Sequence, residues 1–161
     1  SFISKQNMIL IIITSIGRLF KYKLDNKYIA PMSKQAQGTV LNKLFPREEI
    51  VSCCTCNSKD EIIIITKKGS FFRVNENEIY NSYTSKLGFI DDSIQIKNDS
   101  FLSIITDNKY CEIITNKERS AIINFSKLKI NIKTKKYQVD FLDFKNDEFI
   151  NNIYFSKKLI D

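Results

Sequence analysis

The chain has 161 residues, 43% of them hydrophobic and 27% charged, and its formal net charge is +7 at pH 7. This composition is typical of one globular domain and excludes a disordered chain, and the longest apolar run, residues 8–13, is too short to cross a membrane. The positive charge favours a polyanion such as nucleic acid as partner, although Lys, Ile and Asn are abundant throughout, which weakens that inference.

The N-terminal residues resemble the interior of a longer polypeptide. They contain no initiator Met and no basic segment followed by a long apolar one, so they do not have the pattern of a signal peptide. We expect a soluble protein that does not associate with membranes and that forms part of a longer subunit.

The first predicted element is a β-hairpin over residues 11–22. A β-branched run, residues 11–14, leads into a short turn at Gly17, where the chain needs a positive φ. In the second strand, residues 19–22, Leu19 and Lys21 fall on one face and Phe20 and Tyr22 on the other. We therefore expect one face of this strand to pack and the other to carry cations.

This hairpin recurs twice along the chain. It returns 52 residues later at residues 63–74, with Gly69 in the turn, and after another 49 residues at residues 112–123, where Glu118 replaces the glycine. A fixed period of this length is the signature of a repeat architecture. Aromatic residues recur at equivalent positions and are predicted to belong to the core rather than to a base-stacking surface: Phe20, Tyr22, Phe71, Phe72, Phe101 and Phe149.

Each hairpin is followed by a basic segment and then by an apolar strand. The basic segments are residues 33–39, 83–89 and 133–139, and the strands are residues 49–52, 100–103 and 148–151. Four short strands per unit correspond to a propeller-type blade, and three blades are too few to close a ring. We predict an all-β single domain over residues 1–161, with about three four-stranded blades in an open arc. The predicted repeats are approximately residues 8–57, 61–108 and 110–159.

The four cysteines are predicted to have no metal or disulfide. Cys53, Cys54 and Cys56 lie in one apolar segment without the spacing of a zinc knuckle, Cys111 lies far along the chain, and the sequence has no His. We expect small, buried, reduced side chains in a cytoplasmic protein.

No pattern of catalytic residues is present. The sequence has no His, no Walker glycine loop and no nucleophile elbow. We predict no catalytic residue, no metal and no cofactor in this domain.

The repeated hairpin, its Gly-containing basic segment and the following apolar strand together resemble the C-terminal domain of the A subunits of bacterial type IIA topoisomerases, DNA gyrase and topoisomerase IV. The resemblance covers nearly the whole chain. It implies a β-pinwheel of strand-exchanged blades that binds double-stranded DNA on its outer rim, in a bacterial, nucleoid-associated subunit. It also implies two partners, the remainder of the A subunit and the ATPase B subunit of the heterotetramer, with the DNA-cleaving tyrosine lying outside this chain.

The basic segment of the first unit favours the topoisomerase IV branch. Gyrase carries here a box with paired arginines and glycines, whereas residues 34–39 keep one glycine and one cation. The resemblance thus favours a domain that binds and bends DNA for decatenation and relaxation over one that wraps it. A gyrase-type wrapping domain remains the alternative, as does a propeller that binds a protein and no DNA.

Cations and amides spread over the three units are the candidate DNA contacts, because lysine and arginine gain affinity for phosphates through counterion release. We expect steep salt dependence, with most contacts in the first two units. Gly88 and Lys133 are weaker candidates, and an acidic patch at Asp140, Asp143, Asp147 and Glu148 is expected to be solvated. The predicted DNA-binding residues are Arg18, Lys21, Lys23, Lys34, Gln35, Gln37, Gly38, Lys67, Lys68, Arg73, Lys86, Lys117, Arg119, Lys135 and Lys136.

Overall fold

The computed structural model describes residues 8–24, 43–83, 87–106, 110–139 and 143–156, and these form three antiparallel sheets. In each sheet the first strand along the chain lies in the middle, so the strand orders are β2-β1-β3, β5-β4-β6 and β8-β7-β9. No helix among the described residues is long and apolar enough to cross a membrane. The strands are β1 (Ile9–Thr14), β2 (Leu19–Lys23), β3 (Ile50–Cys56), β4 (Glu61–Thr66), β5 (Phe71–Asn75), β6 (Phe101–Thr106), β7 (Tyr110–Thr115), β8 (Ser120–Asn124) and β9 (Ile150–Ser156).

The three turn positions have the predicted backbone conformation. Gly17 has φ 86° and Gly69 has φ 87°, and Glu118 keeps the same left-handed conformation at φ 60° although it is not glycine. In each turn the amide of this residue donates to the carbonyl of the threonine that ends the preceding strand, at 3.0 to 3.2 Å. The third unit has therefore kept the turn after losing the residue that adopts it most easily.

The blades exchange strands, as the resemblance implied, and among the described residues each sheet has three strands, where four per blade were predicted. Segments of the following unit fill the fourth position as isolated bridges, one between Leu19 and Phe89 and one between Phe72 and Lys136. Leu19 and Phe89 exchange two hydrogen bonds of 2.8 Å, so the second unit is bonded to the outer edge of the first sheet. The all-β, open pinwheel architecture is confirmed.

Two apolar clusters lie between the sheets. The first joins Ile11 and Ile13 of the first sheet to Ile62 and Ile64 of the second. The second cluster joins the other face of β4, including Ile63, to the third sheet. The middle sheet is buried on both faces, which explains why β4 reads as an unbroken apolar run.

The predicted cationic face of β2 is not open. Leu19, Phe20 and Tyr22 are all buried, and Lys21 is only partly exposed. The exchanged segment covers the strand, with the ring of Tyr83 packed edge-on against Tyr22 at 5.2 Å between centroids. The sequence of β2 thus predicted a strand correctly. The prediction of an open cationic face was wrong, because that face is covered by a segment about sixty residues later in the chain.

The last strand of the third unit, β9, is shifted by one residue from the predicted register. Ile50, Phe101 and Ile150 are equivalent, since each pairs with the threonine that ends the neighbouring strand. The sequence alignment had placed Phe149 at this position. A shift of one residue moves a side chain to the opposite face, and Phe149 is 41% exposed whereas Ile150 is 2% exposed. The core prediction was wrong for Phe149 and right for the other five aromatic residues.

The cysteines follow their prediction with one exception. Cys56 and Cys111 are buried and Cys54 is half-buried, but Cys53 is exposed because it points away from the core that Cys54 faces. Burial raises the pKa of the Cys54, Cys56 and Cys111 thiols to about 12, so these three remain protonated.

Candidate nucleic-acid interface

Arg18, the first predicted DNA contact, is a buried structural residue. Its guanidinium is 2% exposed and binds both oxygens of Glu48, through Nη2 at 2.5 Å and Nε at 2.8 Å. It also donates to the carbonyls of Leu87 and Lys43 and lies 4.0 Å from the ring centroid of Phe45. With these partners Arg18 has no group to offer a phosphate, so its assignment to the rim is corrected.

Glu48 is the residue that the sequence analysis missed at this position. The hydroxyl of Thr14 donates to its Oε2 at 2.6 Å and the amide of Phe45 to its Oε1 at 2.8 Å. The hydrogen bond from Arg18 is the main reason that the pKa of Glu48 falls from 4.5 to about 2. The carboxylate is therefore charged at neutral pH and fully bonded, as a buried ion pair requires.

The third unit repeats this cluster. The Thr115 hydroxyl donates to Glu148 at 2.7 Å, and Arg119 reaches the other oxygen at 3.1 Å with 42% of its side chain exposed. The pKa of Glu148 is lowered, first by the hydrogen bond from Thr115. Glu148 is 1% exposed, so the expectation of a solvated acidic patch was wrong for this residue.

The second unit lacks the ion pair. Ser70 stands where the other units have arginine, and Asp99 stands where they have glutamate. Asp99 accepts from the amides of Lys68 and Ser100 at 3.0 and 2.8 Å. The recurring signal in the sequence is a threonine, an arginine four residues on, and a glutamate 29 or 30 residues beyond the arginine; it was missed because Glu49 was aligned in place of Glu48.

Three further candidate cations are held by acids of a neighbouring unit or strand. Lys21 binds Glu76 at 2.8 Å, and Arg73 lies 3.4 Å from Glu61. Lys117 lies 3.4 Å from an oxygen of Asp147, whose pKa is lowered, first by a backbone hydrogen bond and then by Lys117. The last two pairs are largely exposed, and exposed pairs separate at little cost, so they leave Arg73 and Lys117 accessible to another anion.

Lys135 joins the third unit to the second. Its Nζ binds Asp91 at 2.5 Å and also binds Glu78, and both acids belong to the second unit. Partial burial disfavours the charged forms of both Asp91 and Lys135. The hydrogen bonds of this pair outweigh the burial, so the pKa of Asp91 lies below its ordinary value and the pKa of Lys135 lies above its ordinary value. Lys135 is a clamp between units and not an open phosphate ligand.

Several solved structures, including the following three, resemble the whole structure. The crystal structure of the C-terminal domain of DNA topoisomerase IV has a TM-score of 0.66 at 16% identity, covering 93% of this chain and 46% of that one. The E. coli ParC C-terminal domain has a TM-score of 0.60 at 18% identity, covering 93% of this chain and 62% of that one. The DNA gyrase A C-terminal domain has a TM-score of 0.56 at 14% identity, covering 94% of this chain and 66% of that one. This chain has their fold.

No family model matches the sequence, and no curated protein is found as a relative. The likeness is therefore one of structure at low identity, and the chain spans between about half and two thirds of the domains it matches. The resemblance read from the repeats is confirmed at the level of the fold.

The predicted lysine contacts that form no ion pair in the described residues are exposed. Within the described ranges, the side chains of Lys23, Lys67, Lys68 and Lys136 have no ion pair, and all four are exposed. Lys67 and Lys68 occupy the β4–β5 turn, and Lys136 lies on the segment bonded to the edge of β5. One corner of the second sheet thus presents three lysines to solvent.

The glycine of the second basic segment has a packing role. Gly88 has φ 73°, and a Cβ there would lie 2.9 Å from a ring carbon of Phe20. Its lack of a side chain is thus explained by Phe20 and needs no phosphate. Five predicted contacts lie outside the described residues: Lys34, Gln35, Gln37, Gly38 and Lys86.

Proposed function

We propose that this chain is the DNA-binding C-terminal domain of a type IIA topoisomerase A subunit. It binds and bends duplex DNA on its basic outer rim and positions segments for decatenation or relaxation, in the manner of topoisomerase IV. The observation that carries the proposal is the strand-exchanged pinwheel with exposed, unpaired lysines on the exchanged segment and the adjacent turn.

The proposal assigns no chemistry to this domain. Within the described ranges no group of three or more Cys, Asp or Glu side chains is placed to hold a metal. The proposed partners are the rest of the A subunit, which would carry the catalytic residues, and the ATPase subunit of a bacterial cytoplasmic enzyme. No cofactor is needed, because lysine binds phosphates directly.

The structure-derived set of contacts is smaller than the predicted one. Lys67, Lys68 and Lys136 are proposed as the central phosphate ligands, with Lys23 at the first unit. Lys23 lines a groove of about 560 Å³ beside the Lys21–Glu76 pair. The equivalent groove of the second unit has a volume of about 210 Å³, lies beside Lys135, and has Asn75 at the position of Lys23. The first groove therefore has a lysine at a position where the second has an asparagine.

A gel shift against salt tests the proposal with charge-matched variants. We compare the triple variant K67A/K68A/K136A with K59A/K127A/K145A, which removes three exposed lysines outside the predicted set. The first variant is expected to weaken duplex binding and to reduce the slope of log affinity against log salt by about 0.9 for each lost phosphate contact. Equal losses in both variants would show that only net charge matters. No binding by the unmodified chain at low salt would overturn the proposal and favour a protein-binding propeller.

A further inference from the structure

The outer hairpin of the third unit carries an apolar side chain at its tip. Residues 129–138 fold back on themselves, with the amide of Gln138 donating to Lys129 at 2.8 Å and that of Asn131 to Lys136 at 2.9 Å. Ile132 lies in the turn between the two arms and is 85% exposed, more than any other large hydrophobic residue described. Turns ordinarily carry Gly, Pro, Asn, Asp or Ser at such positions.

The turn at this tip is held by hydrogen bonds, and Ile132 lies at the rim of a groove that it shares with the second sheet. The Asn131 carboxamide oxygen accepts the amides of Lys133 and Thr134 at 2.9 and 3.2 Å, which fixes the turn. One arm is anchored to the second sheet, where the amide of Tyr137 donates to Phe71 at 2.8 Å. The Lys135 clamp adds a second anchor. An apolar side chain on a backbone that is already fixed loses little conformational entropy when it is inserted into a partner.

The surroundings of the tip are basic. Lys129, Lys133 and Lys136 flank Ile132, and all three are exposed. Two acids, Glu61 and Glu78, line the same groove as Ile132, and they are bound by Arg73 and Lys135. Ile122, another exposed isoleucine, differs in this respect because it lies on the strand β8 beside Glu112.

We propose that Ile132 is a wedge that inserts between base steps of bound duplex DNA and produces the bend, while the flanking lysines hold the phosphates. Proteins that kink DNA use this combination, in which an apolar side chain unstacks one step and cations hold the bent backbone. The inference rests on the proposed function and specifies its mechanism of bending. Lys135 is a positioning residue for the tip.

The test uses the 161-residue chain and a short duplex with a fluorescent donor and acceptor at its two ends. Wild type is expected to raise energy transfer on binding, and I132S to lose most of that rise while its affinity falls by less than about threefold, because unstacking costs and contact gains nearly cancel. I132F, which keeps a wedge, should restore the rise. I122S is the matched control, since it removes an exposed isoleucine outside the basic hairpin.

A second readout locates the insertion. The adenine analogue 2-aminopurine, placed at successive steps of the duplex, should brighten severalfold at one step with wild type and I132F but not with I132S. Full bending by I132S, or equal losses in I132S and I122S, would overturn the wedge while leaving DNA binding intact. Failure of wild type to bind the duplex would overturn both the wedge and the proposed function.

Discussion

At the scale of single residues, Arg18 shows how a cation that the sequence places on a surface serves the interior. It binds Glu48 with two hydrogen bonds and is 2% exposed. Removing one partner of such a pair leaves an uncompensated buried charge. R18A is expected to lower the free energy of unfolding by about 3–5 kcal/mol. R73A removes an arginine whose pair with Glu61 is exposed, and should cost less than about 1 kcal/mol. Urea denaturation measures both, and similar losses would contradict the structural role of Arg18.

The depressed pKa of Glu48 predicts acid sensitivity. The value falls from 4.5 in the unfolded chain to about 2 in the folded protein, mainly through the hydrogen bond from Arg18. A group with a lowered folded pKa stabilises the protein above its unfolded pKa, and that stability is lost as pH falls through the folded value. The melting temperature of the wild type should therefore fall between pH 4.5 and about 2.

E48Q isolates this contribution from those of Asp91, Asp147 and Glu148, whose pKa values are also lowered. The variant should be less stable than the wild type at neutral pH, and the difference in melting temperature should shrink as the pH approaches 2. A constant difference across that range would mean that Glu48 is not the group whose protonation is observed.

Glu118 offers a substitution that should stabilise the protein. A side chain at φ 60° costs roughly 1–2 kcal/mol that glycine avoids. E118G should raise the free energy of unfolding by somewhat less than this, because glycine also loses more freedom on folding. The matched control is E112G, in the exposed part of β7, which should destabilise by about 0.5–1 kcal/mol. Calorimetry decides the sign, and a loss of stability in both variants would contradict the turn assignment.

At the scale of elements, the exchanged segment depends on Gly88. A methyl group there would meet Phe20 at 2.9 Å and also strain a backbone at φ 73°. G88A is expected to destabilise the protein by about 1–3 kcal/mol, as overpacked cores do. The double variant F20L/G88A makes room for the methyl group and should recover part of the loss. If Gly88 instead contacts only phosphate, G88A will weaken DNA binding without changing stability.

The hairpins were predictable because their signal is local. A β-branched run, a turn glycine and a second alternating strand lie within twelve residues, and the repetition of this pattern identified the architecture. The exchanged pairing was not readable from the residues, since Phe89 meets Leu19 across seventy positions. Register failed for the same reason: nothing local to Phe149 and Ile150 tells which of them faces the second sheet.

The candidate site was predictable as a basic set and not as individual contacts. Arg18 and Lys135 have the sequence context of surface cations, and their acidic partners lie 30 and 44 residues away. Lys67 and Lys68 stay exposed because they occupy a turn, where the sequence analysis and the structure agree on their position. Burial of a charge is set by tertiary pairing, which composition and spacing do not encode.

At the scale of the whole molecule, the middle sheet is covered by an apolar cluster on each face, one shared with the first sheet and one with the third. Exposed lysines occur in all three units of the described residues, and Lys67, Lys68 and Lys136 among them lie at one corner of the middle sheet. A short surface bends DNA locally, whereas chiral wrapping needs a long path of contacts around a rim. Under the proposed function this corner holds phosphates over a short path, which is the arrangement expected of a domain that bends DNA.

The sign of DNA supercoils retained by the protein is the corresponding prediction. Relaxed circular plasmid is incubated with the 161-residue chain, closed by a nicking and ligation cycle, and analysed on two-dimensional gels after the protein is removed. A domain that only bends DNA should retain supercoils without a preferred sign, and K67A/K68A/K136A should reduce whatever is retained. A gyrase-type domain wraps DNA in one sense and would give a strong excess of positive supercoils with wild type. That excess would contradict the topoisomerase IV-type role, and it would require phosphate contacts well beyond the corner of the second sheet, because a wrap neutralises many phosphates along its path.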